Sequence, residues 1–213
     1  MEPSSDWTPS LGKYALDFAT DDYVSVPFIY SPMPFSVSLW AFSRNATTNQ
    51  AVFSIGASGS ANPFFVINFR GDLSGDPVVA QMRGNDALSN TWATFTGYSI
   101  NTWYHITAEF ISASSRQVFV NAVQGTADTT THTIETLNQT AIGCLNRTTP
   151  GVFHNGGIDD VRLYSRLLSQ KEKQALSSRR GIAYELAPRR RSRAVVITSG
   201  FSALRPSILR GSR

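Results

Sequence analysis

The chain has 213 residues, 41% hydrophobic and 11% aromatic, with 19 Lys+Arg against 15 Asp+Glu. That is enough apolar material for one large domain with a buried core, and it excludes a disordered chain. No run of 18 apolar residues occurs, so no transmembrane helix is expected, and the single Cys144 excludes an internal disulfide framework.

The net charge of +4 is unevenly spread. Residues 1–178 carry ten basic and fourteen acidic side chains, net −4, whereas residues 179–213 carry nine arginines and one acid, Glu185, net +8. An acidic body with a basic arm is the kind of asymmetry that points to a partner. Three stretches are expected: an extended N-terminal segment at 1–12, a folded body at 13–178 and the arm at 179–213. The polar, acidic start lacks the basic-then-apolar order of a secretory signal.

In chain order, residues 14–18 read as the first strand, Asp21 and Asp22 as its turn, and residues 23–26 as the next strand. Residues 35–42 alternate most clearly, with Phe35, Val37, Leu39 and Ala41 on one face and Ser36, Ser38, Trp40 and Phe42 on the other. Further strands are expected at 51–55, 64–69, 78–82, 92–96, 103–110, 117–121, 129–133 and 141–145. Residues 112–116 read as a loop, and residues 83–91 as a polar one. Val161 and Leu163 alternate with Arg162 and Tyr164 in a closing strand. Ser169 and Glu172 then stand at the spacing of a capping box, which starts a short helix. About a dozen short strands spaced in this way predict an all-β sandwich of two antiparallel sheets.

The order and spacing of Ala15-Leu16-Asp17-Phe18, Asp22-Tyr23-Val24, residues 35–40 and Trp103-Tyr104-His105-Ile106 resemble a laminin-G-like domain. Val118-Phe119-Val120-Asn121 and the closing stretch from Gly157 to Ser169 continue the resemblance, which spans about residues 13–176. The resemblance implies a concanavalin A-like jelly roll. Members of that family are mostly carbohydrate- or protein-binding modules, many with a calcium ion at a sandwich rim. By that analogy Asp21, Asp22 and Asp160 are the calcium candidates, and the competing reading of Asp21 and Asp22 is as turn-formers.

Chemistry of other kinds finds little support. Five glutamates are present, no two close in sequence, and Asp159 and Asp160, as strand neighbours, would face opposite ways. A glycanase needs two carboxylates about 5 Å apart on one face, so hydrolysis is disfavoured. Asp159, in phase with Val161 and Leu163, is read as facing inward. His105, His132 and His154 are too far apart in sequence to mark a metal site. The three glycosylation sequons at Asn45, Asn138 and Asn146 read as polar turns. Sugar recognition needs exposed aromatic platforms and amides. Arg83, Asn85, Asp86, Trp92 and Tyr98 form the best set, with Trp92 open between core and platform and with Trp40 and Trp103 read as core.

The arm combines Arg189, Arg190, Arg191 and Arg193 with Val195, Ile197, Phe201 and Leu204. A purely solvated tail does not need such apolar residues. The pattern suits strand addition to a neighbouring subunit, with arginines on the partner's carboxylates. Nucleic acid is the rival partner, but only Phe201 is available for base stacking. A sandwich followed by a cationic arm also resembles small virion proteins of tailed bacteriophages. The expected role is therefore non-enzymatic: a virion decoration or adhesin protein in homo-oligomers with other virion proteins, displaying its body toward host glycans. Its location would be the virion, and the host cytoplasm during assembly. The alternative is a free lectin module.

Overall fold

The computed structural model describes residues 7–10, 13–26, 32–85, 91–135 and 137–178. The chain divides into two units, residues 1–180 and 181–213, and every described residue belongs to the first. Its strands are β1 (Trp7–Ser10), β2 (Lys13–Phe18), β3 (Val24–Val26), β4 (Phe35–Ser43), β5 (Asn49–Gly56), β6 (Phe64–Arg70) and β7 (Val78–Arg83). β8 (Trp92–Phe95), β9 (Tyr104–Ser112), β10 (Ser115–Val120), β11 (Val123–Gln124), β12 (Gln139–Ile142) and β13 (Gly156–Tyr164) follow, and α1 (Gln170–Ser178) comes last. They form a seven-stranded antiparallel sheet, β1-β2-β13-β4-β9-β10-β11, packed on a six-stranded one, β3-β12-β5-β6-β7-β8. The result is the jelly-roll-like sandwich that the strand pattern predicts.

Alternation builds the core. Phe35, Val37, Leu39 and Ala41 of β4 meet Phe53, Ile55, Phe65, Ile67, Phe69, Ala80 and Met82 of the other sheet. At the centre, Phe35 stacks on Phe110 at 4.9 Å, and Phe65 stands edge-on to Phe35 and Phe110 at 5.0 and 4.7 Å. Such aromatic pairs add roughly 0.5–1.5 kcal/mol each beyond area burial.

The other face of β4 is covered as well, so all nine of its residues are buried. Part of the cover is α1. Lys173 Nζ lies 2.8 Å from Glu109 Oε1 and 3.7 Å from the centre of the Phe119 ring, and Gln170 Nε2 donates to the Ala122 carbonyl. Just before the helix, the Leu168 amide donates to Glu109 Oε1, and Ser36 Oγ donates to the Arg166 carbonyl. The expected capping box forms: the Ser169 amide donates to Glu172 Oε2 at 2.8 Å, and the Glu172 amide to Ser169 Oγ at 3.3 Å. Arg166 on one side and Ser169 on the other pull the Glu172 carboxyl down to about 2.

Three local readings change. Asp159 does not share the inward phase of Val161 and Leu163. A bulge sets Asp160 and Val161 together against Leu39, so Asp159 pairs with Trp40 and Arg162 with Ser38 on the outer face. Asp160 takes φ 52° there, and its carboxylate holds Arg162 Nε and Nη2 at 2.7 and 2.8 Å. Residues 112–116 are not a loop, because β9 and β10 meet across the two residues Ala113 and Ser114. Residues 129–133 are not a strand. They continue a strap that ties the sheets at one side: Thr94 and Thr126 exchange backbone hydrogen bonds, as do Arg116 and Asp128, while the Gly125 amide donates to the Val118 carbonyl. Four β-branched threonines in five residues gave this stretch the composition of a strand, but it has no apolar face with which to join a sheet.

Arg116, fully buried, secures the strap. Its guanidinium holds the Asp128 carboxylate and donates to the Thr130 carbonyl and Thr91 Oγ1, both at 2.8 Å. Asp128→Ala would leave this cation buried without its counter-charge. The expected loss is about 3–5 kcal/mol in denaturant unfolding, with Arg116→Met plus Asp128→Ala milder than the single change.

His154 sits fully buried between Phe18 and Phe69, with Nε2 3.1 Å from the Phe42 carbonyl. Burial pushes its pKa down to about 3, and that of His105 to about 4. Both are neutral when folded and can protonate near pH 6.5 when unfolded. Their stability is therefore present above pH 6.5 and lost as pH falls toward 4. Thermal unfolding should show that loss, about 1.4 kcal/mol per pH unit for each group over this range, and His154→Gln should reduce its slope.

Candidate functional site

The outer face of the six-stranded sheet follows from which residues turn inward. Phe65, Ile67 and Phe69, then Ala80 and Met82, then Ala93 belong to the core. Phe64, Val66, Asn68 and Arg70 of β6, Val79, Gln81 and Arg83 of β7, and Trp92 and Thr94 of β8 therefore face out. One half of this face is roofed by residues 143–155. Leu145 and Val152 pack on Ala51, Phe64 and Val66, the Ala51 amide donates to the Val152 carbonyl, and Ser54 Oγ donates to the Cys144 carbonyl. Asn146 Nδ2 donates to Ser25 Oγ, and Arg147 lies over the Phe64 ring at 5.7 Å.

The other half, at β7 and β8, is polar. Gln81 and Trp92 are cross-strand partners, and Arg83 is the next outward residue along β7. Arg70, at the far end of β6, reaches back over the face until its guanidinium stands 4.8 Å from the centre of the Trp92 ring. Asp72 holds that guanidinium at two points, 2.7 and 2.8 Å, and the Arg70 hydrogen bond in turn keeps the Asp72 carboxyl below its usual range. In the row between, Asn68 pairs with Val79, and Asn68 is only 2% exposed. Asn68 Nδ2 donates to Asn49 Oδ1 at 2.6 Å, while its own Oδ1 has no hydrogen-bond partner.

Of the expected sugar-binding residues, the structure keeps Arg83, Asn85 and Trp92 in this neighbourhood. Asn85 donates from Nδ2 to Glu135 Oε2 and from its amide to the Thr133 carbonyl. Trp92 is half-buried and faces out from the core, and one face of its ring carries Arg70. Asp86 lies outside the described residues. Tyr98 is a core residue, 4% exposed. Its ring stands edge-on to Phe69 at 4.7 Å, its hydroxyl donates to the Asn45 carbonyl, and burial pushes its pKa up to about 12. Trp40 is buried as expected, but on the outer face of the seven-stranded sheet, and Trp103 is half-buried edge-on to Phe42. Between those two rings sits Gly157, where a Cβ would collide with Phe42 and Trp103. Arg70, Asp72, Asn68 and Gln81 were missed by the sequence reading. The alternation of β6 and β7 contained their direction, but nothing local joined them to Trp92.

The three calcium candidates are not brought together. Phe18 pairs with Gly156 and Leu16 with Ile158, so Asp160 lies beyond one end of that register and Asp21 and Asp22 beyond the other. Asp22 Oδ2 accepts the Ala19 amide in its own turn, and Asp160 is held by Arg162. Among the described residues, no three His, Cys, Asp or Glu side chains stand close enough to hold a metal ion. The arm residues Arg189, Arg190, Arg191, Arg193, Val195, Ile197, Phe201 and Leu204 lie outside the described residues.

Residues 18–172 match the laminin-G-like family model described as the Concanavalin A-like lectin/glucanases superfamily. The chain belongs to this superfamily. Similar solved structures include domain 4 of AbnA, a GH43 extracellular arabinanase from Geobacillus stearothermophilus, in complex with arabinotriose (TM-score 0.64, 19% identity, 80% of each chain covered). Another is the Ruminococcus gnavus IT-sialidase CBM40 bound to α2,3 sialyllactose (TM-score 0.58, 14% identity, 68% of this chain and 82% of that one). The heptameric SAP-like pentraxin of Limulus polyphemus is also similar (TM-score 0.59, 14% identity, 78% and 82%). At these identities the likeness shows the fold. No curated protein matches the chain.

One arrangement in this superfamily member looks catalytic at first sight. Ser38 Oγ is hydrogen-bonded to His105 Nε2 at 2.9 Å. Both residues are buried, however, and His105 Nδ1 makes no hydrogen bond, so no carboxylate orients the ring for proton transfer. Cys144 is likewise buried, and burial raises its thiol pKa to about 12, far from a reactive thiolate.

Arg70→Ala should uncover the Trp92 ring. Hydroxyl-radical footprinting read by mass spectrometry is expected to show several-fold faster labelling of Trp92, with about 1 kcal/mol lost in stability from the removed ring contact.

Proposed function

We propose that this chain is a non-enzymatic glycan-binding sandwich that uses the outer face at β7 and β8 as its ligand surface. The observation that carries this reading is the half-buried Trp92 ring, fixed from one side by Arg70 and Asp72 and flanked by Gln81 and Arg83. The exposed part of an aromatic ring beside a guanidinium group offers a sugar ring an apolar and a hydroxyl contact. The structurally similar AbnA domain and CBM40 module carry arabinotriose and sialyllactose in their complexes, which adds support for a saccharide ligand. The non-enzymatic part is supported by the described glutamates of the folded body. Glu109 holds Lys173, Glu135 accepts from Asn85, and Glu172 caps α1, so each is spent on structure.

The basic arm is, in this reading, a tether that fixes the sandwich to a larger assembly. The division of charge, −4 in the body and +8 in residues 179–213, supports it. A virus particle of the tailed-bacteriophage type is the assembly whose small proteins have this layout, and host-surface glycans are then the natural ligands.

Binding should be measured on an array holding both neutral arabinan oligosaccharides and sialylated glycans. The intact chain is expected to bind one class, and Trp92→Ala to weaken that binding at least ~10-fold while the melting temperature moves by only a few degrees. No binding to either class by a folded chain would overturn the ligand reading. Removing residues 187–213 should leave a folded body that no longer co-sediments with particles.

A further inference from the structure

A cavity of about 190 Å³ lies between the two sheets on the side where β3 ends the six-stranded one. Its orientation follows from the strand register. Direct cross-strand partners share a face, so Val24, Ile142 and Phe53 point one way, as do Val26, Thr140 and Ile55. Phe53 and Ile55 belong to the core, which turns both rows inward. Ser25, between Val24 and Val26, faces out, where its Oγ accepts from Asn146. The inward side chains of β3 and β12, with Phe53, form one wall of the cavity, and Val161 and Leu163 of β13 form the other. Val26, 36% exposed, stands at the mouth.

Six of the seven lining residues are apolar, and none is charged. The seventh is Thr140, which is only 2% exposed and whose Oγ1 has no hydrogen-bond partner. A buried hydroxyl in that state destabilises the fold, and native structures keep few of them. Valine has nearly the same shape and would line the wall without that penalty. The sequence places a hydroxyl where packing has no use for one.

We propose that this cavity binds a small uncharged alcohol, aromatic or aliphatic, whose apolar body fills it and whose hydroxyl pairs with Thr140 Oγ1. The volume sets the size. An apolar cavity of about 150 Å³ accommodates benzene, so this one takes a single substituted ring or an aliphatic chain of similar bulk. The lining sets the polarity. A carboxylate or ammonium group would lose its water with no opposite charge on the lining to meet it. A plain hydrocarbon would leave Thr140 unpaired. Water is a poor occupant too, because the lining side chains offer it one hydrogen-bonding atom and a buried water typically has about three. A threonine hydroxyl both donates and accepts, so it can meet a ligand hydroxyl in either sense.

The site is separate from the candidate glycan face. β3 and β8 terminate opposite edges of the six-stranded sheet, and the two surfaces share no residue. Success or failure of sugar binding therefore leaves this proposal untouched.

Phenol and toluene test it, because they differ by a hydroxyl in place of a methyl group. Each is titrated into the full chain while the Ile, Leu and Val methyl signals are followed by NMR. Phenol should shift the methyls of Val24, Val26, Ile142, Val161 and Leu163 saturably. Those of Val66 and Val79, buried on the outer side of the same sheet, should stay in place. Thr140→Val should weaken phenol binding at least ~5-fold relative to toluene, with no fall in melting temperature. Thr140→Ser, which keeps the hydroxyl, should leave the ratio of the two affinities as it is in the unchanged chain. Shifts that are absent, that do not saturate, or that spread across the molecule would overturn the site. An equal effect of Thr140→Val on both compounds would remove the hydroxyl from recognition and overturn the proposal with it.

Discussion

The fold depends on a strand that arrives last and lies in the middle. β13 sits between β2 and β4, so the early strands join one sheet only through residues 156–164. More than a hundred residues separate β4 from that partner, and the entropy of closing such a loop must be met before the pairing contributes anything. The same strand carries the bulge at Asp160. A left-handed residue other than glycine is costly there, and the two-point hold on Arg162 fixes it in place. Without the bulge, the outward set that includes Asp159 and Arg162 could not coexist with the inward set of Val161 and Leu163.

Polar groups are handled differently on the two sheets. The seven-stranded sheet draws its polar side chains under cover, with Glu109 paired to Lys173 of α1 and Ser38 against His105. Buried charges persist only with partners, and Arg116 with Asp128 follows the same rule at the strapped side. The six-stranded sheet is asymmetric. Residues 143–155 roof one half, and at β7 and β8 Arg70 lies over a half-exposed Trp92 while Asn68, Val79 and Gln81 are buried.

The candidate face is also braced. Asp72 restrains Arg70, Arg70 restrains Trp92, and the strands beneath are held on a tightly packed core. A ligand meeting this surface encounters side chains whose freedom has already been lost, which lowers the entropy cost of binding. β3 is the reverse case: among the described residues it is a short terminal strand beside a cavity of about 190 Å³.

The sequence by itself determined the class of fold, nearly every strand, the capped helix and the division between an acidic body and a basic arm. These rest on local rules, the two-residue repeat of strands, the Ser169–Glu172 spacing and the count of charges, and such rules act within a few residues. Tertiary structure alone decided which faces are wet. Tyr98 entered the core because the turn after β8 delivers it onto Phe69. Trp92 came to lie under Arg70 because β6 and β8 flank β7. Asp21 and Asp22 were parted from Asp160 by the antiparallel run of β2 against β13. Each outcome depends on pairings between residues far apart in the chain, and pairing is a property of the assembled sheets that no local pattern records.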